Sequence, residues 1–248
     1  MKSKAHPATR RPDVPSDRPF VLVNMAMTAD GKIATANRTV ASFGSRRDLA
    51  HLYALRATAE AVMCGARTAE LDGLNLGPGP ARYRRLRGQR GLAEYNLRVL
   101  VSGSGSINPR SAIFTRRFSP ILILTTARAA ACRLAALRRV ADEVLAIGER
   151  EVDFVAALTE LRARWGVRRL VCEGGGELNA ALFAGGLVDE LHLTICPFVF
   201  GGRAAPSIAD GPGITRLADA ARLELRSCRR HGDELFCVFA AGGRQVGA

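Results

Sequence analysis

The sequence predicts one α/β domain built on a mostly parallel sheet. Two observations support this fold class: short runs rich in valine, isoleucine and leucine alternate with helical patterns, and the last two such runs flank a turn. Strands that alternate with helices form a parallel sheet with helices on its faces. We therefore expect a helix-covered, mostly parallel sheet that ends in an antiparallel C-terminal hairpin.

The elements follow one another without a linker or an internal repeat. The predicted parallel strands are Phe20–Met25, Ala61–Cys64, Leu97–Val101, Ile121–Thr125, Glu143–Ile147, Leu170–Cys172 and Leu191–Ile195. The hairpin strands are Leu223–Ser227 and Glu234–Ala240, on either side of the turn RRHGD. The predicted helices are Arg46–Thr58, Ala127–Ala141, Asp153–Trp165 and Glu177–Ala184. We expect a single domain over residues 19–242, preceded by a flexible arm (1–18) and followed by a tail (243–248).

Composition indicates a globular protein outside the membrane. The chain has 248 residues, 48% of them hydrophobic, which is enough to bury a full core. It contains no run of about 18 apolar residues and no apolar stretch near its start that could act as a secretion signal. The six cysteines are scattered, mostly in apolar runs, which favours buried free thiols over disulfides or a zinc site. We expect a cytoplasmic protein without a metal centre.

The net charge of +13 leaves two explanations open. It could attract an anionic partner, such as nucleic acid, a membrane surface or a phosphorylated small molecule. It could also be a compositional drift, because the basic residues are 33 arginines and three lysines. The densest cluster is ARYRRLRGQRG (Ala81–Gly91), inside the long irregular segment Gly73–Asn96. We interpret it first as a flexible loop, second as a phosphate contact and last as an RNA patch, since Tyr83 is its only aromatic residue.

Three consecutive glycines, Gly174 to Gly176, stand where a buried strand turns into a helix in LVCEGGGELNAALF. The free N–H groups of the first helical turn, beside a backbone without Cβ atoms, suit a phosphate or pyrophosphate. A tight turn that needs a positive φ angle is the alternative. The classical G-x-G-x-x-G fingerprint is not met, because Asn179 replaces the last glycine and the next strand ends without an acid for the ribose. The missing acid is compatible with a ribose 2′-phosphate, and hence with NADPH over NADH.

A second glycine-rich turn, Gly103-Ser-Gly105-Ser-Ile-Asn108, follows the strand LRVLV and leads into Pro109 instead of a helix. Two such turns, neither of the Rossmann type, suggest a nucleotide that lies across the strand ends in another fold.

Lys32 is a candidate for chemistry. In NMAMTADGKIAT a strand ends, Asp30-Gly31 makes a turn, and Lys32 is presented at the strand's carboxyl end. It is the only lysine beyond the fourth residue. A compact ammonium can approach a reacting atom or a phosphate where a planar guanidinium does not fit. A surface lysine without a role is the alternative.

Thr68 and Asp72 are a further candidate pair. They lie four residues apart in VMCGARTAELDGLNL, on a short predicted helix, and therefore share a face. A hydroxyl and a carboxylate on one face suit contacts to ribose or amide groups. An ordinary polar pair near a helix N-terminus is the alternative.

Other reaction classes lack their usual residues. None of the four histidines lies beside a candidate nucleophile, and the sequence has neither a G-x-S-x-G elbow nor the H-x-E and P-C-x-x-C motifs of zinc deaminases. What remains, phosphate-binding turns with one lysine and a few carboxylates, fits a reaction whose chemistry belongs to a cofactor.

The segments TADGKIA, GARTAELD, CEGGGELNAALFAGGLVDEL and CPFVFGGRAAPSIADG, in this order, resemble the pyrimidine reductase family of riboflavin biosynthesis. The similarity runs from about Pro19 to Phe239. It implies a dihydrofolate-reductase-like three-layer α/β sandwich, NADPH as cofactor, a phosphorylated pyrimidine as substrate and a homodimer, with no nucleic-acid or membrane partner. The sequence lacks the deaminase half of many bacterial members and so resembles the stand-alone form.

The resemblance also implies the site residues. The implied cofactor-binding residues are Thr68, Asp72, Ser102, Gly103, Gly174, Gly175, Gly176, Glu177 and Leu178. The implied substrate-binding residues are Lys32, Arg56, Leu76 and Glu173. Lys32 and Glu173 are also the implied catalytic residues, which position the sugar and support proton transfer.

Two departures from the family pattern concern these sites. The family usually has Asp-Ser where this chain has Ser102-Gly103-Ser104. It commonly reads D-D-P-x-L-T where this chain has Gly73-Leu74-Asn75-Leu76 and then the arginine-rich segment. Arg82, Arg84 or Arg85 is therefore a candidate for the substrate phosphate.

The implied reaction is hydride transfer to C1′ of a ribosylamino group, which opens the sugar and gives a ribitylamino chain. The sequence leaves open whether the pyrimidine is the deaminated or the 2,5-diamino form, and whether the pathway is riboflavin synthesis or a specialised one. A pterin or dihydrofolate reductase is the enzyme alternative. A non-catalytic nucleotide- or RNA-binding protein on the same fold is the alternative from another class.

Overall fold

The computed structural model describes residues 17–38, 43–71 and 73–242. The predicted arm, apart from its last two residues, lies outside the described residues, as do the predicted tail and Asp72. The strands are β1 (Phe20–Thr28), β2 (Ala61–Gly65), β3 (Leu97–Val101), β4 (Ile121–Thr125), β5 (Glu143–Ala146), β6 (Arg169–Cys172), β7 (Glu190–Cys196), β8 (Leu223–His231) and β9 (Glu234–Ala241). The helices are α1 (Arg46–Arg56), α2 (Ala66–Ala69), α3 (Ala81–Gln89), α4 (Ala112–Thr115), α5 (Ala131–Leu137), α6 (Phe154–Ala163) and α7 (Gly176–Ala184).

Within the described residues the strands form one sheet in the order β5-β4-β3-β2-β6-β1-β7-β9-β8. The pairs from β5 to β7 are parallel. The two pairs that involve β9 are antiparallel. The predicted fold class, a mostly parallel sheet with an antiparallel C-terminal hairpin, is confirmed.

Helices cover both faces of the parallel part. Val21 and Val23 of β1 face a core layer that includes residues of α6 and α7, whereas Phe20 and Leu22 face a layer that includes residues of α1, α4 and α5. This alternation follows from the two-residue period of a strand. Strand β4 is buried along its whole length, as expected for a parallel strand between two helical layers.

Three local predictions were wrong. The arginine-rich segment Ala81–Gly91 is not a flexible loop, because most of it forms α3; alanine, arginine, leucine and glutamine all favour helices. The predicted helix Ala127–Ala141 shrinks to α5, since the N–H groups of Ala127 and Arg128 bond to the backbone of a neighbouring loop. The hairpin turn is only Gly232-Asp233, because β8 continues to His231.

All six cysteines are free, but their burial was only partly predicted. Cys132 on α5 and Cys228 on β8 are exposed. The other four are buried: Cys64, Cys172, Cys196 and Cys237.

None of the helices in the described ranges combines the length and the apolar character that a bilayer span requires.

Candidate active site

The residues singled out in the sequence gather mainly at the carboxyl edge of the parallel strands. The ends of neighbouring strands are aligned there: Gly65 of β2 pairs in register with Val101 of β3. The N–H of Gly65 also donates to the oxygen of Gly174, just beyond β6, at 2.8 Å. Open α/β sheets bind their ligands outside this edge.

Lys32 is held by a tight turn after β1. Oγ1 of Thr28 donates to the carboxylate of Asp30 at 2.5 Å and accepts the N–H of Lys32 at 2.9 Å. The Thr28 hydroxyl, with backbone N–H groups that bond to the same carboxylate, lowers the pKa of Asp30 to about 2. Nζ of Lys32 donates to the backbone oxygen of Ala205 at 3.3 Å. Since an ammonium has three N–H groups, it has further donors to offer a ligand.

Arg56 and Glu173 form one buried unit. Nε and Nη2 of Arg56 donate to the two carboxylate oxygens of Glu173 at 2.5 and 2.6 Å, and Nη1 donates to the oxygen of Gly77 at 2.6 Å. The side chains are 4% and 9% exposed. Burial is the largest single effect and disfavours the charge of Arg56, but the attraction and the hydrogen bonds to Glu173, with smaller contributions from Tyr53 and Cys64, together raise the pKa of Arg56. A bidentate pair of this kind fixes the carboxylate in place. Glu173 therefore pairs with Arg56 and not with Lys32.

The three glycines of the turn after β6 differ in what a Cβ atom would contact at each position. Gly174 has a φ angle of +74°, and a Cβ there would lie 2.7 Å from the sulfur of Met25. A Cβ on Gly176 would lie 2.6 Å from a carboxylate oxygen of Asp210. At Gly175 the nearest atom to a Cβ would be Oγ1 of Thr68, at 3.9 Å. Internal packing therefore explains Gly174 and Gly176, and only Gly175 leaves room for a ligand against the backbone.

Helix α7 begins at this turn without a side-chain cap. Its first N–H groups, on Gly176, Glu177 and Leu178, have no intrahelical acceptor. The side chain of Leu178 is buried in the core, whereas that of Glu177 is exposed and forms an ion pair with Arg67 of α2 at 3.3 Å. Together with the Thr68 hydroxyl, this helix start is a place for an anionic group.

The segment Ala205–Asp210, here called the bridging segment, joins the Lys32 turn to α7. Besides its Ala205 contact, Lys32 forms a β-bridge with Ser207. On the other side, the N–H of Asp210 donates to the oxygen of Gly176 at 3.0 Å, and Nδ2 of Asn179 donates to the oxygen of Ile208 at 2.8 Å. The sequence analysis did not predict that this segment joins the Lys32 turn to α7. The segment lies in the quoted motif CPFVFGGRAAPSIADG, and its APSIADG stretch was the available signal.

The turn after β3 is closed by its own hydrogen bonds. Oγ of the buried Ser102 accepts the N–H of Ser106 at 3.0 Å, and Oγ1 of Thr126 donates to the oxygen of Gly103 at 2.6 Å. Ser102 and Gly103 thus shape the turn, whereas Ser104 and Ser106 pair their hydroxyls at 3.0 Å on an exposed surface.

The remaining predicted substrate residues lie apart from this cluster. Leu76 is fully buried, and its backbone oxygen accepts from Asn96 at 2.8 Å. The guanidinium of Arg82 lies 4.7 Å from the ring centroid of Tyr83. Arg84 forms an ion pair with Glu94 at 2.9 Å. The structure brings none of these three into contact with Lys32 or Glu173.

Asn24 of β1 was also missed. Its Oδ1 is buried and has no hydrogen-bond partner among the described residues. Asn24 follows Val23, which pairs in register with Cys172, the residue before Glu173. An unpaired buried carboxamide oxygen so close to Glu173 is a candidate ligand contact.

Comparison with known proteins identifies the family of the chain. Residues 19–237 match the RibD C-terminal domain. The 2,5-diamino-6-ribosylamino-4(3H)-pyrimidinone 5′-phosphate reductase of Methanothermobacter thermautotrophicus is 35% identical, over 91% of this chain and 100% of that protein. The reductase of the same name from Archaeoglobus fulgidus is 33% identical, over 84% of this chain and 93% of that protein.

The fold has a counterpart among solved structures. Acinetobacter baumannii RibD superposes with a TM-score of 0.73 and 18% identity, over 91% of this chain and 58% of the RibD chain. The chain therefore spans little more than half of that longer protein and shares the fold of the matched part. With the profile match across residues 19–237, these similarities show that the chain belongs to the RibD C-terminal domain family of pyrimidine reductases in riboflavin biosynthesis.

Proposed function

We propose that the protein reduces 2,5-diamino-6-ribosylamino-4(3H)-pyrimidinone 5′-phosphate with NADPH and forms the ribitylamino product. The observation that carries this proposal is the match to two archaeal reductases of that name, over 100% and 93% of their lengths. This match favours the 2,5-diamino pyrimidine over the deaminated one, which the sequence alone left open.

The residues at the carboxyl edge fit a nicotinamide dinucleotide. Gly175 gives the Cβ-free approach, the start of α7 offers N–H groups for the diphosphate, and Thr68 adds a hydroxyl beside them. The turn at Ser102 and Gly103 lies two strands away on the same edge. When bound, the reduced nicotinamide supplies the hydride for the sugar carbon.

Lys32 and Glu173 supply the complementary chemistry. Opening the sugar breaks the bond from C1′ to the ring oxygen, so that the oxygen needs a proton and C1′ carries positive charge shared with nitrogen. We assign the proton donation to the ammonium of Lys32 and the charge stabilisation to the carboxylate of Glu173, which Arg56 holds in position. We also assign to Asn24 a contact with the pyrimidine, because its buried Oδ1 has no hydrogen-bond partner among the described residues.

The direct test is the loss of reduced-nicotinamide absorbance with three substrates: the 2,5-diamino ribosylamino phosphate, its deaminated form and dihydrofolate. We expect turnover of the 2,5-diamino form, faster with NADPH than with NADH. Turnover of the deaminated form alone would move the enzyme to the other branch of the pathway. Turnover of dihydrofolate alone would replace the proposal with a folate-type reductase.

We also propose that the protein is a homodimer. The hairpin exposes apolar side chains, with Leu225 of β8 55% exposed and Leu223 and Leu235 more than a third exposed. Exposed apolar patches of this kind mark interaction surfaces. Sedimentation at micromolar concentration should give the mass of two chains, and a monomer there would overturn the proposal.

A further inference from the structure

Two cysteines of the C-terminal hairpin lie against each other and have no role in the proposed function. Cys228 of β8 pairs directly with Cys237 of β9 in the register of the sheet. The thiol of Cys237 donates a hydrogen bond to Sγ of Cys228 at 3.4 Å. Both cysteines are free. Their sulfur atoms are therefore in contact, although they belong to different strands.

The backbone at this position has the spacing that a disulfide requires. Residues directly opposite each other in an antiparallel pair have Cα atoms about 4.5 to 5.5 Å apart, and disulfides span Cα separations of about 4.4 to 6.8 Å. The two sulfur atoms must approach from contact distance to about 2.05 Å. A small closing movement, with rotation about the Cα–Cβ bonds, brings them together without a change in the register of the strands.

The two thiols differ in their access to solvent. Cys228 is exposed, whereas Cys237 is only 7% exposed and belongs to the core layer that includes residues of α6 and α7. Burial, followed by the hydrogen bond to Cys228, raises the pKa of Cys237 to about 11. The thiolate is the reactive form of cysteine. A dissolved oxidant therefore reacts first with Cys228, and Cys237 reacts second.

An exposed thiol in contact with a buried one can complete a thiol–disulfide exchange. The thiolate of Cys228 attacks one sulfur of a low-molecular-weight disulfide, forms a mixed disulfide and releases one small thiolate. Cys237 then gives up its proton to solvent, and its thiolate attacks Sγ of Cys228. A bond between the two protein sulfurs forms, and the second small thiolate leaves. Two protein thiols are oxidised by two electrons, and the small disulfide is reduced to two thiols.

We propose that Cys228 and Cys237 are a redox modification site, which low-molecular-weight disulfides convert to a cross-strand disulfide. This inference does not depend on the proposed function, because its readout is a covalent bond and not turnover. In a reducing compartment the two thiols are the resting form, and the disulfide forms only under oxidation.

The homodimer proposed above bears on the design of the test. Leu235 lies two residues before Cys237 on β9 and hence on the same face of the hairpin. It is part of the exposed apolar surface that we assign to the dimer. A partner chain on this face would slow the reaction of Cys228, but would not change which sulfur resolves the mixed disulfide. The test is therefore run at submicromolar and at micromolar protein, and it scores which sulfurs are joined.

The test is peptide mapping of the folded protein after incubation with glutathione disulfide at about pH 8, near the ordinary pKa of a thiol. Remaining thiols are blocked with iodoacetamide. Trypsin cuts after Arg226, Arg229 and Arg230, so it places the two cysteines in different peptides. We expect these peptides to be joined by a disulfide and to separate with dithiothreitol. The matched control is Cys132→Ser, which removes an exposed thiol on α5 and should leave the joined peptides unchanged.

A second variant traps the intermediate. Cys237→Ser keeps the exposed thiol but removes the one that resolves the mixed disulfide. The glutathione adduct on Cys228 should then accumulate by roughly 10-fold or more over the wild type, because a thiol held in contact reacts at a high effective concentration. The circular dichroism spectrum checks that this variant folds.

Three results would overturn the inference. The first is a wild type in which Cys228 keeps its glutathione. The second is a Cys228 that stays a free thiol at both protein concentrations. The third is a disulfide between the Cys228 residues of two chains, which appears as a doubled mass on a gel without reductant.

Discussion

At the amino edge of the parallel sheet, Arg87 and Arg98 point inward and bond to the protein itself, whereas at the carboxyl edge Arg128 and Arg133 are exposed. Nε and Nη1 of Arg87 donate to three backbone oxygens at 2.6 to 2.8 Å, and Arg98 donates to three others at 2.5 to 3.0 Å. Both side chains are at most 1% exposed. Arg128 and Arg133 at the opposite edge are exposed, beside the turn on which the hydroxyls of Ser104 and Ser106 pair with each other.

This difference changes how the net charge should be interpreted. The sequence left two explanations of the net charge, attraction for anions and compositional drift, and neither explains Arg87 or Arg98. The N–H groups of these two arginines satisfy carbonyls that close the loops before β2, β3 and β4. A guanidinium has five N–H donors in a fixed plane and suits this task. Part of the positive charge therefore serves folding and is not available for ligands.

The Arg56–Glu173 pair serves both folding and the proposed active site. Its loss should therefore have the largest effect on stability and on turnover. Glu173→Ala leaves the buried guanidinium of Arg56 without its counter-charge, which should lower the free energy of unfolding by about 3–5 kcal/mol and abolish turnover. Urea denaturation checks the first effect. Glu177→Ala, which breaks the exposed pair with Arg67, is the control and should change stability by less than about 0.5 kcal/mol. Wild-type stability of the Glu173→Ala variant would contradict a structural role for the pair.

Arg87→Ala should affect stability alone. Three backbone oxygens lose their donor, which should cost about 2–4 kcal/mol in the free energy of unfolding. Turnover per folded molecule should stay near the wild-type value, because Arg87 lies at the edge opposite the proposed ligand site. Arg85→Ala on the same helix removes an exposed arginine and should be nearly neutral. If both variants lost the same stability, the distinction between inward and outward arginines on α3 would fail.

Lys32→Ala should lower turnover and leave stability nearly unchanged, which is the opposite of Arg87→Ala. Loss of a positioned proton donor should lower kcat by about 100-fold or more, while the melting temperature should hardly change, because the ammonium makes one long hydrogen bond to the protein. Lys32→Arg restores the charge in a bulkier, planar group and should recover little of the rate. Full turnover of the alanine variant would remove the catalytic role of Lys32.

The smallest expected effect is a pH dependence of stability, which arises from His51 on α1. Nε2 of His51 lies 3.0 Å from Nδ1 of His192. Burial, and to a lesser extent repulsion from His192, lowers the pKa of His51 to about 4. Because the unfolded chain takes up this proton near its ordinary pKa, the contribution of His51 is complete above about pH 6.5 and is lost as the pH falls toward 4. The loss should be about 1–2 kcal/mol, since the ring is only half-buried.

The measurement for this effect is the free energy of unfolding between pH 7 and pH 5. His51→Gln cannot take up the proton, so its stability should fall less than that of the wild type over this interval. Parallel curves for the two proteins would assign the pH dependence to other groups.

The fold was largely predictable, because it depends on patterns that are local in the sequence. The run at Ile121–Thr125 is apolar at almost every position and forms a strand buried on both faces. The long apolar runs and the glycine-rich turns likewise marked the strands and the edge at which they end. The arginine-rich segment was mispredicted, because its charge suggested exposure although its composition also favours a helix.

The details of the site depend on contacts that are distant in the sequence. Arg56 and Glu173 were both named as site residues, but nothing in the sequence shows that their side chains meet across 117 positions. Arg85 and Arg87 are the same residue two positions apart, and only the rotation of the helix decides which of them is buried. The three glycines look equivalent, yet Met25 accounts for one and Asp210 for another.

The bridging segment limits how the protein can change over evolutionary time. It contacts the Lys32 turn on one side and the start of α7 on the other, so it sets the offset between the proposed proton donor and the proposed cofactor cradle. An insertion here would shift one half-site relative to the other, and rates fall steeply when reacting groups are displaced by about 1 Å. We therefore expect the bridging segment to be inherited at fixed length.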